Sequence, residues 1–360
     1  MVYHKICHKE YPDFEGGFSS PPILVDRNVH PPKNQVSEVN FQINKTNMNT
    51  DKANLEAKES NQDKVLRGVL PVIPTLFKSD DTIDLEAQKA VVGFALKHGA
   101  SAVVCPAVAS EYNFLSLEER KTLVSLVVEE VGGQVPIIGG ASAKTVEDVV
   151  AAARDCLQFG ISYLMIMAPN GLGQEVEKHK EFFAQISEQI EGAQIILQNA
   201  PTPIGAGLAV EDIAEIVESN PMITYVKEET LPSGPAITAL VNRKIPHMVG
   251  VIGGGGSRYM IDELNRGALA SMPAIELLDL HVGIYDTYTE GNHAKARQLY
   301  RWSLPLLVSQ LIYRMRLTKY VLNSRGITND VVVRAPLPEM DEMTKQDIDQ
   351  MWADLKRVLV

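Results

Sequence analysis

Between residues 68 and 274 the chain alternates short, almost wholly apolar runs with longer stretches in which apolar residues recur at helical spacing. The runs lie at 68–75, 100–108, 135–142, 163–169, 195–201, 223–229, 247–254 and 267–274, each bounded by glycine or proline. Strands of a parallel sheet covered on both faces read this way, because neither side of such a strand meets water. The stretches between them carry helix start signals. Asp84 stands before LEAQKAVVGFALKHGA, and Ser116 opens SLEERKTLVSLVVEEV with Glu119 three positions on, the spacing of a capping box. Eight such units in about 210 residues match the period of a (β/α)8 barrel. A doubly wound open sheet is the alternative, but it usually has fewer strands and a glycine-rich phosphate turn after the first. Here the first run leads into PTLFKSDD. After Glu276 the pattern stays helical. The expected fold is therefore α/β, a (β/α)8 TIM barrel over residues 65–289, followed by a C-terminal helical appendage of about three helices over 290–360.

Residues 1–64 break the pattern. They are rich in Asn, Lys, Asp, Glu, Ser and Pro, show no sustained period, and read as a disordered N-terminal tail. The start, MVYHKICHKEYPDF, has neither the apolar core of a signal peptide nor the Arg-rich pattern of a transit peptide. No apolar stretch is long enough to cross a bilayer. The net charge of −11 without a basic run argues against nucleic-acid binding. Cys7, Cys105 and Cys156 form neither a disulfide framework nor a metal spacing, which suits a reducing, cytoplasmic setting. His98, His179, His247 and His281 share no spacing either, so no metal site is expected.

The chemistry concentrates at the C-terminal ends of the strands, where barrel enzymes build their sites. The second run opens into Ser110, Glu111 and Tyr112, the fifth ends in Gln198 and Asn199, the sixth carries Lys227, Glu228 and Glu229, and the seventh opens into Gly253–Gly256. A lysine within an apolar strand is costly unless paired or unprotonated, and desolvation makes such an amine nucleophilic. Strand alternation puts Lys227 and Glu229 on one face and Glu228 on the other. An imine-forming lysine and a general base would then share one pocket. From composition alone a Lys-Glu-Glu at a strand end is more often a solvated rim. Ser110–Glu111 also reads as a helix cap, and Gln198 and Asn199 as turn residues. The glycine run reads either as a loose loop or as a place where a ligand approaches the backbone.

These residues carry a resemblance. From about Arg67 onward the chain resembles the dihydrodipicolinate synthase / N-acetylneuraminate lyase superfamily of Schiff-base lyases. VKEE matches the family's strand-six lysine motif and implies the imine role for Lys227. AVASE (107–111) matches its carboxylate-binding loop, and QNAP (198–201) its strand-five motif. The family's usual strand-five tyrosine is Gln198 here, and its two loop threonines are Val108 and Ala109. A glutamine side chain cannot trade protons near neutral pH. The chain is most similar to the 2-keto-3-deoxy-L-arabonate dehydratase branch, with its Gln-(Asp/Asn)-Ala-Pro, Ser-Glu and Lys-x-Glu elements.

The resemblance implies a dehydratase acting on a 2-keto-3-deoxy sugar acid. Lys227, Glu229 and Gln198 are then the catalytic group. Ala109, Ser110, Glu111, Asn199, Gly253 and Gly254 contact the keto acid. No cofactor is implied, and the assembly is a homotetramer or homodimer. A retro-aldolase giving pyruvate and an aldehyde is the alternative reaction, and a non-catalytic keto-acid binder the alternative class.

Overall fold

The computed structural model describes residues 65–359, so the expected tail over 1–64 lies outside the described residues. Eight strands run in chain order: β1 (Gly68–Val69), β2 (Val103–Val104), β3 (Ile137–Gly140), β4 (Tyr163–Met167), β5 (Gln194–Asn199), β6 (Ile223–Glu228), β7 (Gly250–Gly253) and β8 (Ala270–Ser271). Each falls inside one of the eight apolar runs, all neighbours are parallel, and the order is β1-β8-β7-β6-β5-β4-β3-β2. Val72, just past β1, bridges Val104 on one side and Ala274 on the other, which closes the sheet into a barrel.

Helices follow the strands as the periodicity predicts: α1 (Leu85–Lys97), α2 (Leu117–Val131), α3 (Val146–Gln158), α4 (Val176–Ser187), α5 (Val210–Ser219), α6 (Ser233–Arg243), α7 (Met260–Asn265) and α8 (Leu278–Thr289). Asp84 caps α1 through the Ala87 amide, and Ser116 and Glu119 exchange both bonds of a capping box at α2. Three further helices follow among the described residues, α9 (His293–Tyr313), α10 (Met315–Ser324) and α11 (Glu342–Leu359). Among the described residues no helix is long and apolar enough to cross a membrane.

Alternation along the strands sorts the core. Tyr163, Met165, Ile196, Tyr225, Ile252 and Met272 pack inside the barrel, while Leu164, Ile166, Ile195, Leu197, Val226 and Val251 face the helices. Tyr225 closes the floor, its hydroxyl accepting from the Leu66 amide at 3.0 Å. The middle of the longer strands is thus apolar on both faces, and polar side chains gather at the C-terminal ends of β5 and β6.

One core residue sets a pH response. His281 on α8 is buried, and among the described residues neither ring nitrogen has a hydrogen-bond partner. Burial pulls its pKa down to about 4, against a small opposing pull from Asp279. The unfolded chain takes up a proton near pH 6.5 that the folded one refuses until about pH 4. His281 therefore adds no pH-dependent cost above that window, and stability falls as pH drops through it, by about 3 kcal/mol in all. Thermal melts of His281→Leu and wild type between pH 7 and 4.5 should diverge, with the variant losing less. Parallel curves would show that His281 is not buried neutral.

Candidate active site

The register of β5 and β6 pairs Gln198 with Lys227, and laterally paired residues of a parallel sheet share a face. Both continue the inward rows of Ile196 and Tyr225. Lys227 is only 5% exposed. Its Nζ lies 2.9 Å from Glu229 Oε1, Gln198 Nε2 donates to Glu229 Oε2 at 2.8 Å, and the Gly255 amide donates to Oε1 at 3.3 Å. Burial by itself would raise the Glu229 pKa. The Lys227 charge, with hydrogen bonds from Lys227, Gln198 and Gly255, holds it below the ordinary value. Glu229 is thus a carboxylate at rest, able to accept a proton.

Glu228 points the other way. It accepts from Asn199 Nδ2 at 3.0 Å and from both the amide and the hydroxyl of Thr230. Burial raises its pKa, against these hydrogen bonds. The split between the two glutamates follows from the two-residue period of a strand.

Lys227, Glu229 and Gln198 open into a cavity of about 460 Å³. Val72, Ala107–Ala109 and Met165 line its barrel side, Gly255, Gly256, Arg258 and Tyr259 the side after β7, and Gln310, Arg314, Met315 and Thr318 come from α9, α10 and the junction between them. Arg258 donates to Gln310 Oε1 at 3.0 Å and to the Leu307 carbonyl, and burial lowers its pKa. A larger hollow of about 640 Å³ opens around Tyr112, Arg120, Lys144 and Asp148 but contains neither Lys227 nor Glu229. The reactive group therefore belongs to the smaller one. Among the described residues no three His, Cys, Asp or Glu side chains converge as metal ligands.

The structure brings together Lys227, Glu229, Gln198 and Ala109, and it places the other expected contacts elsewhere. Ser110 does not offer its hydroxyl to the cavity. The hydroxyl donates to the Ile73 carbonyl at 2.5 Å and accepts from the Ala107 amide at 3.0 Å, folding the loop onto the first strand. Glu111 is buried against Lys319 and the amides of Arg334 and Ala335. Asn199 brackets Leu208 through the amide and carbonyl of that residue.

The glycine run contacts the cavity later than expected. Gly255 and Gly256 line it, whereas Gly253 and Gly254 lie behind. A Cβ at 253 would strike the Glu263 carboxylate, and one at 254 would strike Glu229 Cγ. Gly254 thus serves the site by leaving room for Glu229. Arg258, Gln310, Arg314 and Thr318 were not foreseen. Arg258 lies two residues past the glycine run and carries that much signal, but nothing local marks the other three. They reach the cavity only because the C-terminal helices fold over the barrel mouth.

Comparison with known proteins shows which family the chain belongs to. The dihydrodipicolinate synthetase family model matches residues 65–355. L-2-keto-3-deoxyarabonate dehydratase of Azospirillum brasilense is 27% identical over 286 residues, 78% of this chain and 92% of that protein. 4-hydroxy-tetrahydrodipicolinate synthase of Methanosphaerula palustris is 26% identical over 286 residues, 77% of this chain and 95% of that protein. The crystal structure of dihydrodipicolinate synthase from Rhodopseudomonas palustris aligns with a TM-score of 0.75 at 22% identity, over 83% of this chain and 99% of that one, a likeness of fold. The chain belongs to the dihydrodipicolinate synthetase family and is a class I lyase.

Proposed function

We propose that the protein dehydrates a 2-keto-3-deoxy sugar acid, such as 2-keto-3-deoxy-L-arabonate, through an imine on Lys227. The observation that carries this reading is the buried Lys227–Glu229 pair with Gln198, a group that does not ionise, on the remaining carboxylate oxygen. Glu229, at 2.9 Å, takes a proton from Lys227 and frees the amine to attack C2. Glu229 returns that proton to the departing hydroxyl, and loss of water from the adduct gives a protonated imine, which acidifies C3. The Glu229 carboxylate removes the C3 proton and passes it to the C4 hydroxyl, which leaves as water. The C3–C4 double bond then shifts to C4–C5, giving an enol that becomes the C5 aldehyde. Hydrolysis of the imine consumes the water released when it formed and restores Lys227. The net change is loss of one water, with 2-oxoglutarate semialdehyde as product of a 3-deoxy-pentonate.

The substrate carboxylate fits the wall made by Ala107–Ala109. Among the described residues the amides of Val108 and Ala109 have no acceptor, as the first amides of a helical turn usually do not. Arg258 and Arg314 suit the far, hydroxylated end. The likeness to the Azospirillum dehydratase supports the same substrate class. Retro-aldol cleavage would use the same imine but must deprotonate the C4 hydroxyl, and Gln198 offers no base for it. The test is to supply 2-keto-3-deoxy-pentonates and follow products by NMR. The semialdehyde without pyruvate is expected. Pyruvate with a two-carbon aldehyde would overturn the dehydratase reading.

A further inference from the structure

The loop that forms the keto-acid side of the cavity is gripped at both ends. At the barrel end the Ser110 hydroxyl donates to Ile73, and the Thr75 hydroxyl donates to the Ser110 carbonyl at 2.6 Å. At the outer end Glu111, in a left-handed conformation at φ 58°, accepts from Lys319 Nζ at 2.5 Å through one oxygen. Its other oxygen accepts from the amides of Arg334 and Ala335 at 2.8 and 2.7 Å. Both side chains of the ion pair are fully buried. Lys319 also donates to the Val332 carbonyl at 2.7 Å and sits 4.3 Å from the centre of the Phe77 ring. One residue before Lys319, Thr318 lines the cavity and donates to buried Glu276. The same turn of α10 therefore touches the cavity directly and holds the opposite wall through Glu111.

Well-packed apolar residues would usually stabilise such a junction as well as a buried ion pair does. What a charge-assisted, multiply bonded carboxylate adds is fixed direction. We propose that Lys319 and Glu111 form a strut by which the C-terminal helices hold Ala107–Ala109 in register with Lys227. Both are then positioning residues for keto-acid binding. This rests on the reading above that the Ala107–Ala109 wall receives the substrate carboxylate.

The experiment uses the full chain and two variants. Lys319→Met removes the charge and keeps most of the stem, but it strands Glu111 with only its two amide donors and folding can suffer. Arg334→Ala leaves the buried pair intact and loosens the 332–335 segment, whose Arg334 guanidinium is otherwise tied to Asp81 and Glu119. Two quantities are measured on folded protein. One is the pyruvate concentration giving half-maximal borohydride labelling of Lys227. The other is amide hydrogen exchange across residues 105–115.

Lys319→Met should raise the half-saturating pyruvate concentration at least about tenfold, with labelling at saturation changed less than about threefold, and should speed exchange at 107–111. Arg334→Ala should shift both in the same direction by about threefold, and it decides the matter if Lys319→Met does not fold. A purely structural pair would lower the melting temperature and leave half-saturation and loop exchange within about twofold of wild type, which would overturn the strut. Failure of the wild type to label at all would overturn the imine reading instead. Unchanged exchange at 107–111 overturns the strut whatever the wild type does with pyruvate.

Discussion

Lys227→Met should lose more than about 10⁴-fold in turnover and all borohydride labelling by pyruvate, while the folded barrel should persist. The imine is the only electron sink that the proposed reaction has, so no other group replaces the lysine. Methionine keeps the apolar stem in the inward row above Tyr225. Glu229 then loses its partner, but it keeps the bonds from Gln198 and Gly255, and its side chain is 18% exposed, so water reaches it. A lowered melting temperature is expected, and collapse of the fold is not. Intact mass after borohydride treatment with pyruvate gives the answer. A reduced adduct on the variant would place the imine on another lysine, and no adduct on the wild type would remove the imine altogether.

Glu229→Gln separates imine formation from the steps after it. Removing a general base typically slows turnover by about 10²–10⁴-fold, or about 3–5 kcal/mol in the barrier. The variant should still label with pyruvate, more slowly, because solvent can take the ammonium proton that Glu229 otherwise accepts. Glu228→Gln should be mild by comparison. Its carboxylate faces away from the cavity and joins β5 to the end of β6 through Asn199 and Thr230, contacts a glutamine can partly keep. A Glu228 variant slower than the Glu229 variant would mean that the glutamate facing the substrate has been misassigned.

Much of this arrangement is written in local pattern. Eight apolar runs mark eight strands, since burial on both faces leaves no other composition available to them. The strands themselves are shorter than the runs: the fifth run extends to 201, but pairing stops at Asn199. Glu229 beside Lys227 follows from strand parity, which depends on nothing remote.

What was illegible is equally physical. A serine or an asparagine at a strand end looks alike whether it faces a ligand or a carbonyl group. Only the tertiary partners, Ile73 for Ser110 and Leu208 for Asn199, decide. Glu111 lies 208 residues from Lys319, and no periodicity connects them. Likewise Arg314 and Gln310 read as ordinary helix-surface residues until α9 and α10 are laid across the mouth.

That division of the cavity has a consequence for how such a protein changes over time. Lys227 and Gln198 stand on two adjacent strands, with Glu229 one residue past β6, whereas the wall from the C-terminal helices comes from one short stretch, residues 310–318. On the proposed reading, reactivity and part of substrate choice are carried on separate pieces of chain. Substitutions in the second can redirect the protein to a keto acid of different length or charge while the first stays intact. On the proposed imine chemistry, each intermediate along such a path would keep its reactive group. A lineage could then change its keto acid without passing through an inert ancestor.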